Sequence, residues 1–282
     1  MRVSRPIWLR FALAASAGLL LSASFPLPEL AGAAWIAPGL MLAAALGGTR
    51  GEAFRLGYVA GLAHFLSSLY WLLLIPVAWA PILGWLALGA FLALYPAAWV
   101  WLCLAVPWCP AVLPATPLTA SRWARLGWPL YAGACWVALE LLRAWFLSGF
   151  PWDLLGVSQF RLLPLIQLAA VTGIWGLSFL LAWTSAALLL AGLALMRAPT
   201  RRTAWLADLA LPLVCVMLVF LAGSASSRHA PGLRRRTARG LRPAQHPADD
   251  DLGRRREHQP LRSTPGALPR GPRAKTRPAA VA

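Results

Sequence analysis

Residues 136–167 read WVALELLRAWFLSGFPWDLLGVSQFRLLPLIQ, and the rest of the chain is understood outward from them. The stretch starts as an apolar helix, carries a carboxylate and a guanidinium into it at Glu140 and Arg143, and breaks at Gly149-Phe150-Pro151-Trp152. It then stays amphipathic instead of returning to a purely apolar run. Elsewhere in the apolar region no segment combines charge inside a helix, a Gly/Pro break and a dense set of aromatic residues.

Around this stretch the composition is that of a polytopic membrane protein. Of 282 residues, 59% are hydrophobic and 16 are Trp, too apolar for a soluble domain. The formal charge of +17 resembles a nucleic-acid signature until it is located. Residues 1–227 hold 12 Arg against five acids; residues 228–282 hold 13 Arg and Lys275 against four acids. The charge therefore divides between arginines flanking the helices and a separate basic tail.

Seven apolar segments are expected to span, at about residues 7–25, 35–46, 56–79, 84–106, 130–146, 174–196 and 204–221. Each holds roughly the 17 to 25 residues needed to cross about 30 Å of hydrocarbon, except the second, which is short and must tilt or pair closely with the first. Ser22-Ala23-Ser24 resembles a signal-peptidase site, but an uncleaved first helix suits a chain that continues directly into more helices. The all-α expectation is a transmembrane bundle over residues 1–227, followed by a disordered basic tail.

Arginine placement orients the bundle. With a cytoplasmic N-terminus, Arg2, Arg5, Arg10, Arg50, Arg55, Arg122, Arg125, Arg197, Arg201 and Arg202 fall inside, and only Arg143 and Arg161 fall outside. In a bacterium this places residues 148–172 and the C-terminal tail on the periplasmic face of the inner membrane. Gly149 and Pro151 mark where the backbone leaves the helix toward the interface. Trp145, Trp152 and Phe160 suit the headgroup layer, and helical spacing from Asp153 to Leu168, interrupted by Ser158 and Gln159, predicts an interfacial helix.

Glu140 and Arg143 lie three apart, share a helix face and are able to pair. Ionisable groups within a span cost about 2.5 to 3.5 kcal/mol on insertion scales and point to function. Two readings stay open for them: a neutralised pair that pins the helix, or a polar wall for a lipid headgroup or acyl-chain entrance. Elsewhere, His64 reads as hydrogen-bonded packing, and Gly57 and Gly61 form a G-x-x-x-G spacing for close helix contact. Cys103, Cys109, Cys135 and Cys215 lie in or beside spans without metal spacing, so no metal or other cofactor is indicated.

Trp136, Glu140 and Arg143, followed by Gly149-Phe150-Pro151-Trp152 and by Leu155, Gly156, Ser158 and Gln159, resemble the signature of bacterial apolipoprotein N-acyltransferases. Gly57-Tyr58, Gly61 and Leu69-Tyr70-Trp71 agree with it, as does the run from Gly173 to Phe179. The resemblance implies transfer of an acyl chain from a phospholipid to the N-terminal cysteine amine of an apolipoprotein. It also implies a periplasmic nitrilase-like domain with a Glu-Lys-Cys triad, in which a thioester forms and is resolved. No catalytic residue is carried over, because Lys275 is the sole lysine and residues 228–282 contain no Cys. Glu140, Arg143, Trp145, Trp152, Ser158 and Gln159 remain as candidates near lipid or substrate.

In the tail, Arg, Ala, Pro and Gly make up 35 of 55 residues, all with GC-rich codons, which fits a frameshifted or truncated reading of a GC-rich gene. Its arginine clusters are able to meet phosphate, but it has no aromatic residue to stack bases, and a nucleic-acid partner is not expected. The reading that competes with the acyltransferase family is a non-enzymatic polytopic protein, a transporter or scaffold. Transporters commonly show repeats with paired broken helices, and no convincing repeat is present here.

Overall fold

The structure is a computed structural model that describes residues 6–26, 28–112, 119–200 and 202–228. The basic tail from residue 229, with the expectation of disorder made for it, lies outside the described residues. Every regular element described is helical. The α-helices are α1 (Ile7–Ser22), α2 (Ala37–Ala45), α3 (Arg50–Ser68), α4 (Ala80–Leu92), α5 (Leu94–Ala105), α6 (Arg122–Trp145), α7 (Leu163–Ile166), α8 (Ala169–Arg197) and α9 (Arg202–Arg228). Short 3-10 turns at Ala31–Trp35, Tyr70–Leu74, Phe146–Ser148 and Leu155–Gln159 link several of them.

Among the described residues, three segments are long and apolar enough to cross a membrane: Ala80–Ala105, Ala169–Arg197 and Trp205–Ser226. Helix α1 is apolar but has 16 residues. Helices α3 and α6 have 19 and 24 residues, with Arg50, Glu52, Arg55 and His64 in one and Arg122, Arg125, Glu140 and Arg143 in the other lowering their hydropathy.

Capping and proline chemistry move two boundaries away from the sequence expectation. The segment expected at 56–79 begins instead at Arg50, because Thr49 and Glu52 form a capping box. Thr49 Oγ1 accepts the Glu52 amide at 3.2 Å, and Glu52 Oε2 accepts the Thr49 amide at 2.8 Å. That helix stops at Ser68, and the chain reaches α4 through an irregular stretch containing Pro76 and a left-handed Trp79 (φ 63°). The segment expected from residue 130 starts at Arg122, where Ser121 Oγ accepts the Ala124 amide at 3.2 Å.

Two ends of the bundle differ in chemistry. At one, Arg10 donates through Nε to Ala44 O and through Nη2 to Ala45 O, both at 3.1 Å, and meets Glu52 Oε2 at 3.4 Å. It thereby satisfies carbonyls that α2 leaves orphaned at its C-terminus. Arg50 Nη2 reaches Ala105 O at the end of α5 (3.3 Å), and Arg125 pairs with Asp208 at 2.6 Å, tying α6 to α9. At the other end, Gln159 Nε2 donates to Ala31 O (2.9 Å), Trp35 Nε1 donates to Gln159 Oε1 (3.2 Å), and the Gly156 amide donates to Ser178 Oγ (2.9 Å).

Between the ends, small residues let helices approach. A Cβ at Gly57 would sit 2.8 Å from Ala97 Cα, and one at Gly61 would sit 2.8 Å from Ala93 Cα, so the G-x-x-x-G face of α3 meets α5 backbone to backbone. Indoles stitch α5 to α6. Trp128 Nε1 donates to Cys103 O at 2.7 Å and Trp99 Nε1 to Ala132 O at 2.8 Å, while Trp99 and Trp136 meet edge to face at 4.8 Å. The Gly39 amide, in the first turn of α2, donates to Ser185 Oγ of α8 at 2.8 Å.

Candidate functional site

The spacing Trp136, Leu139, Glu140, Arg143 is i, i+3, i+4, i+7, one stripe on the last two turns of α6. Past Trp145 the chain folds back over that stripe. Leu147 (φ 49°), Gly149 (φ 80°) and Asp153 (φ 51°) all adopt left-handed backbone, and the Phe150 amide returns to Arg143 O at 3.0 Å. Only glycine fits at position 149, since a Cβ there would run into the Ala144 carbonyl. The reversal brings the Leu155 amide to Glu140 Oε1 at 2.7 Å, where Trp136 Nε1 also donates at 2.9 Å.

Glu140 and Arg143 are 5% and 4% exposed. They do not form the pair that their spacing allows: among the described residues no nitrogen–oxygen contact within ion-pair distance joins them. The reason is competition. Glu140 Oε1 is engaged by the two N–H donors, and the Arg143 guanidinium lies 5.3 Å from the Phe65 ring centroid with Nη2 at 3.5 Å from Asp153 O. By strict hydrogen-bond geometry Glu140 Oε2, Arg143 Nη1 and Asp153 Oδ2 have no partner, although the Ser178 hydroxyl lies close to the Glu140 carboxylate.

These groups line a small, open-mouthed cavity of about 30 Å³. Helix α3 contributes His64 and Phe65, α5 contributes Tyr95 and Trp99, and Leu21 closes the side formed by α1. His64 Nδ1 lies 3.0 Å from Ser22 Oγ, and its ring packs against Phe25 and Phe65, so it is hydrogen-bonded packing that also forms cavity wall. Burial lifts the Asp153 carboxyl above the ordinary carboxylate range. The Ser68 hydroxyl, near it but outside hydrogen-bond geometry, and the Arg143 charge act in the opposite direction.

The remaining sequence candidates divide. Ser158 and Gln159 are buried away from the cavity: Ser158 Oγ donates to Leu155 O at 2.6 Å, and Gln159, fully buried, clasps the turn before α2. Trp145 is 82% exposed and stands outside the cavity, whereas Trp152, half exposed, packs against Trp71 at 5.3 Å. The interfacial helix expected from Asp153 to Leu168 is instead a 3-10 turn and the four-residue α7, because left-handed Asp153 and Pro164 interrupt it and Gln159 turns inward. Asp153, Tyr95 and Trp99 were not singled out from sequence as site residues. Among the described residues no cluster of His, Cys, Asp or Glu has the form of a metal site.

A helical bundle with long apolar helices and one buried polar end defines an integral membrane protein. Residues 17–187 match the apolipoprotein N-acyltransferase N-terminal domain, and the chain belongs to that family. It is 38% identical over 180 residues to an apolipoprotein N-acyltransferase of Geobacter metallireducens, covering 61% of this chain and 31% of that protein. A Bordetella bronchiseptica apolipoprotein N-acyltransferase is 36% identical over 212 residues (65% and 35%), and one from Pseudomonas aeruginosa is 34% identical over 200 (66% and 35%). The chain spans about a third of the length of these relatives. Its relatives and its apolar helices make it a protein of the bacterial inner membrane.

Proposed function

We propose that this chain is the membrane part of a lipoprotein N-acyltransferase, which moves an acyl chain from a phospholipid to the N-terminal cysteine amine of apolipoproteins during lipoprotein maturation. In this reading it crosses the inner membrane seven times, with the N-terminus cytoplasmic and the chain after α9 periplasmic. Residues 31–45 make the second crossing. Ala31 meets Gln159 and Ala45 meets Arg10, so this stretch of 3-10 turn and α-helix runs end to end over roughly 24 Å.

The observation that carries the proposal is the opposition of the two ends. Arg10, Arg50 and Arg125 lock one end, the side on which positive charge stays cytoplasmic, while the cavity of Glu140, Arg143 and Asp153 lies at the other. There the exposed Trp145 and half-exposed Trp152 suit a headgroup layer, and residues 148–172 form the outer segment that a phospholipid donor and an apolipoprotein approach. The acyl-transfer step needs a thiol, a base and a cation. Lys275 is the only lysine of the sequence, and among the described residues no cysteine lines the cavity, so in this reading the chain alone is inactive.

A chimera tests the assignment. Residues 1–227 are grafted in place of the aligned membrane region of the Geobacter metallireducens relative, in a strain depleted of its own N-acyltransferase. Rescue is expected, and Arg143→Ala in the graft should weaken it. A graft that inserts normally and never rescues, where the intact relative does, refutes the proposal.

A further inference from the structure

The segment that folds back over α6 is fastened by few bonds. From Phe146 to Leu155 it contains three left-handed residues, and two of them, Leu147 and Asp153, carry side chains that disfavour that backbone. Two of its amides tie it to α6: Phe150 to Arg143 O at 3.0 Å and Leu155 to Glu140 Oε1 at 2.7 Å. Strain held by so few contacts marks a segment that opens at low cost. Its inward turn brings Asp153 to the cavity wall, where Oδ2 is buried without a partner.

The two carboxylates of the cavity are unequal. Glu140 receives the Leu155 and Trp136 N–H groups, with the Ser178 hydroxyl nearby, and such donors favour the ionised form. Arg143, one turn further along α6, balances that charge. Among the described residues no donor reaches Asp153 Oδ2, and Arg143 approaches the Asp153 carbonyl at 3.5 Å in place of its carboxylate. The other groups facing Asp153 bring no charge. From α3, His64 has Nδ1 beside Ser22 Oγ and its ring against Phe25 and Phe65, and the Ser68 hydroxyl is neutral; from α5, Tyr95 is a phenol, neutral below about pH 10. An ionised Asp153 therefore leaves one buried negative charge uncompensated.

About 30 Å³ has room for a water or two, which would satisfy hydrogen bonds but carry no charge, and no metal-type cluster exists among the described residues. The counterpart that fits is a proton on Asp153 itself, and burial of this carboxyl acts in the same direction. We propose that residues 146–155 form a proton-operated lid over the cavity, closed while Asp153 is protonated and loosened when its carboxylate ionises and is drawn toward water. The closed form then holds one proton more than the open form, in which a solvated Asp153 ionises near about pH 3.9. Preference for closure is greatest below that pH. Above it the closed-to-open ratio falls about tenfold per pH unit, and it levels off once the pH passes the point at which the closed lid itself ionises. The lid is a property of this fold whether or not the chain takes part in acyl transfer.

The full chain, purified in detergent, is to be followed by hydrogen–deuterium exchange of its 146–155 amides, with rates corrected for the intrinsic pH dependence of exchange and the buried amides of α8 as the control for an intact bundle. Protection of the Phe150 and Leu155 amides should fall about tenfold or more between about pH 4 and pH 8 while α8 stays protected.

Asp153→Asn, a neutral mimic of the protonated acid, should keep the lid closed across the range and abolish the fall. If that variant loses protection in α8, Glu140→Gln takes its place: the Gln carbonyl still accepts the Leu155 amide, and Asp153 then faces Arg143 without a competing carboxylate, so the fall should shrink. Protection that does not change with pH in the unaltered chain, or that falls equally in it and in the folded variant, overturns the proposal. A fall that survives Asp153→Asn and disappears in His64→Gln moves the titration to the histidine and overturns it as well.

Discussion

Glu140 concentrates the chemistry of the site because one of its oxygens organises backbone and the other faces the cavity. Glu140→Ala removes the acceptor for the Leu155 amide and the Trp136 indole, and each buried donor left unpaired costs about 1–3 kcal/mol. Thermal unfolding in detergent should show a clear loss for Ala and a smaller one for Gln, since the Gln carbonyl still accepts. Equal losses would mean that Oε1 does not hold the loop. That Glu140 and Arg143 carry charge into an apolar helix was readable in the sequence. Their failure to pair was not, because it depends on Leu155 and Phe65, which come from a loop and another helix that no i, i+3 rule includes. Asp153 reaches the wall only through three left-handed residues, and a local pattern does not encode that path.

Among the elements, the seam of α3 against α5 is the tightest interface that sequence spacing anticipated. Gly61→Leu drives a side chain into Ala93 and should cost about 1–3 kcal/mol as overpacking, read as a lowered melting temperature. Gly84→Leu on α4, where a Cβ meets nothing within 4 Å, is the matched control and should leave the melting temperature nearly unchanged. If both variants behave alike, the close approach of α3 and α5 is not what holds the seam. Helix existence followed from apolar runs, but boundaries followed from caps and prolines: Thr49 and Ser121 extended α3 and α6 toward their N-termini, and α3 stopped well before Pro76. The interfacial helix was misread because helical spacing of apolar residues in 153–168 reflects alternating burial in turns, with Gln159 pointing inward as a clasp.

For the whole molecule, the arginine-locked end and the hollow end make topology measurable. A reporter fused after Ala225, near the end of α9, should read as periplasmic, and a cytoplasmic signal would overturn the seven-crossing arrangement. Expressed as these 282 residues, the chain should not restore growth to a strain depleted of its N-acyltransferase; restoration would show that acyl transfer does not need the Glu-Lys-Cys set the family resemblance implies. The family was legible because separated motifs arrive in order over residues 17–187. The clustering of His64, Tyr95, Trp99 and Asp153 was not, since it arises only when α3, α5 and α6 end or begin at one level.

Arg10 also bears on how the protein is made. The nine-residue α2 ends in carbonyls that hydrocarbon cannot satisfy, and their donors sit on α1, synthesised some thirty residues earlier. Released singly, α2 would leave those carbonyls without the guanidinium, so the first two helices should insert as one hairpin with Arg10 docked. Loss of Arg10 should therefore appear first as chains arrested or degraded during synthesis.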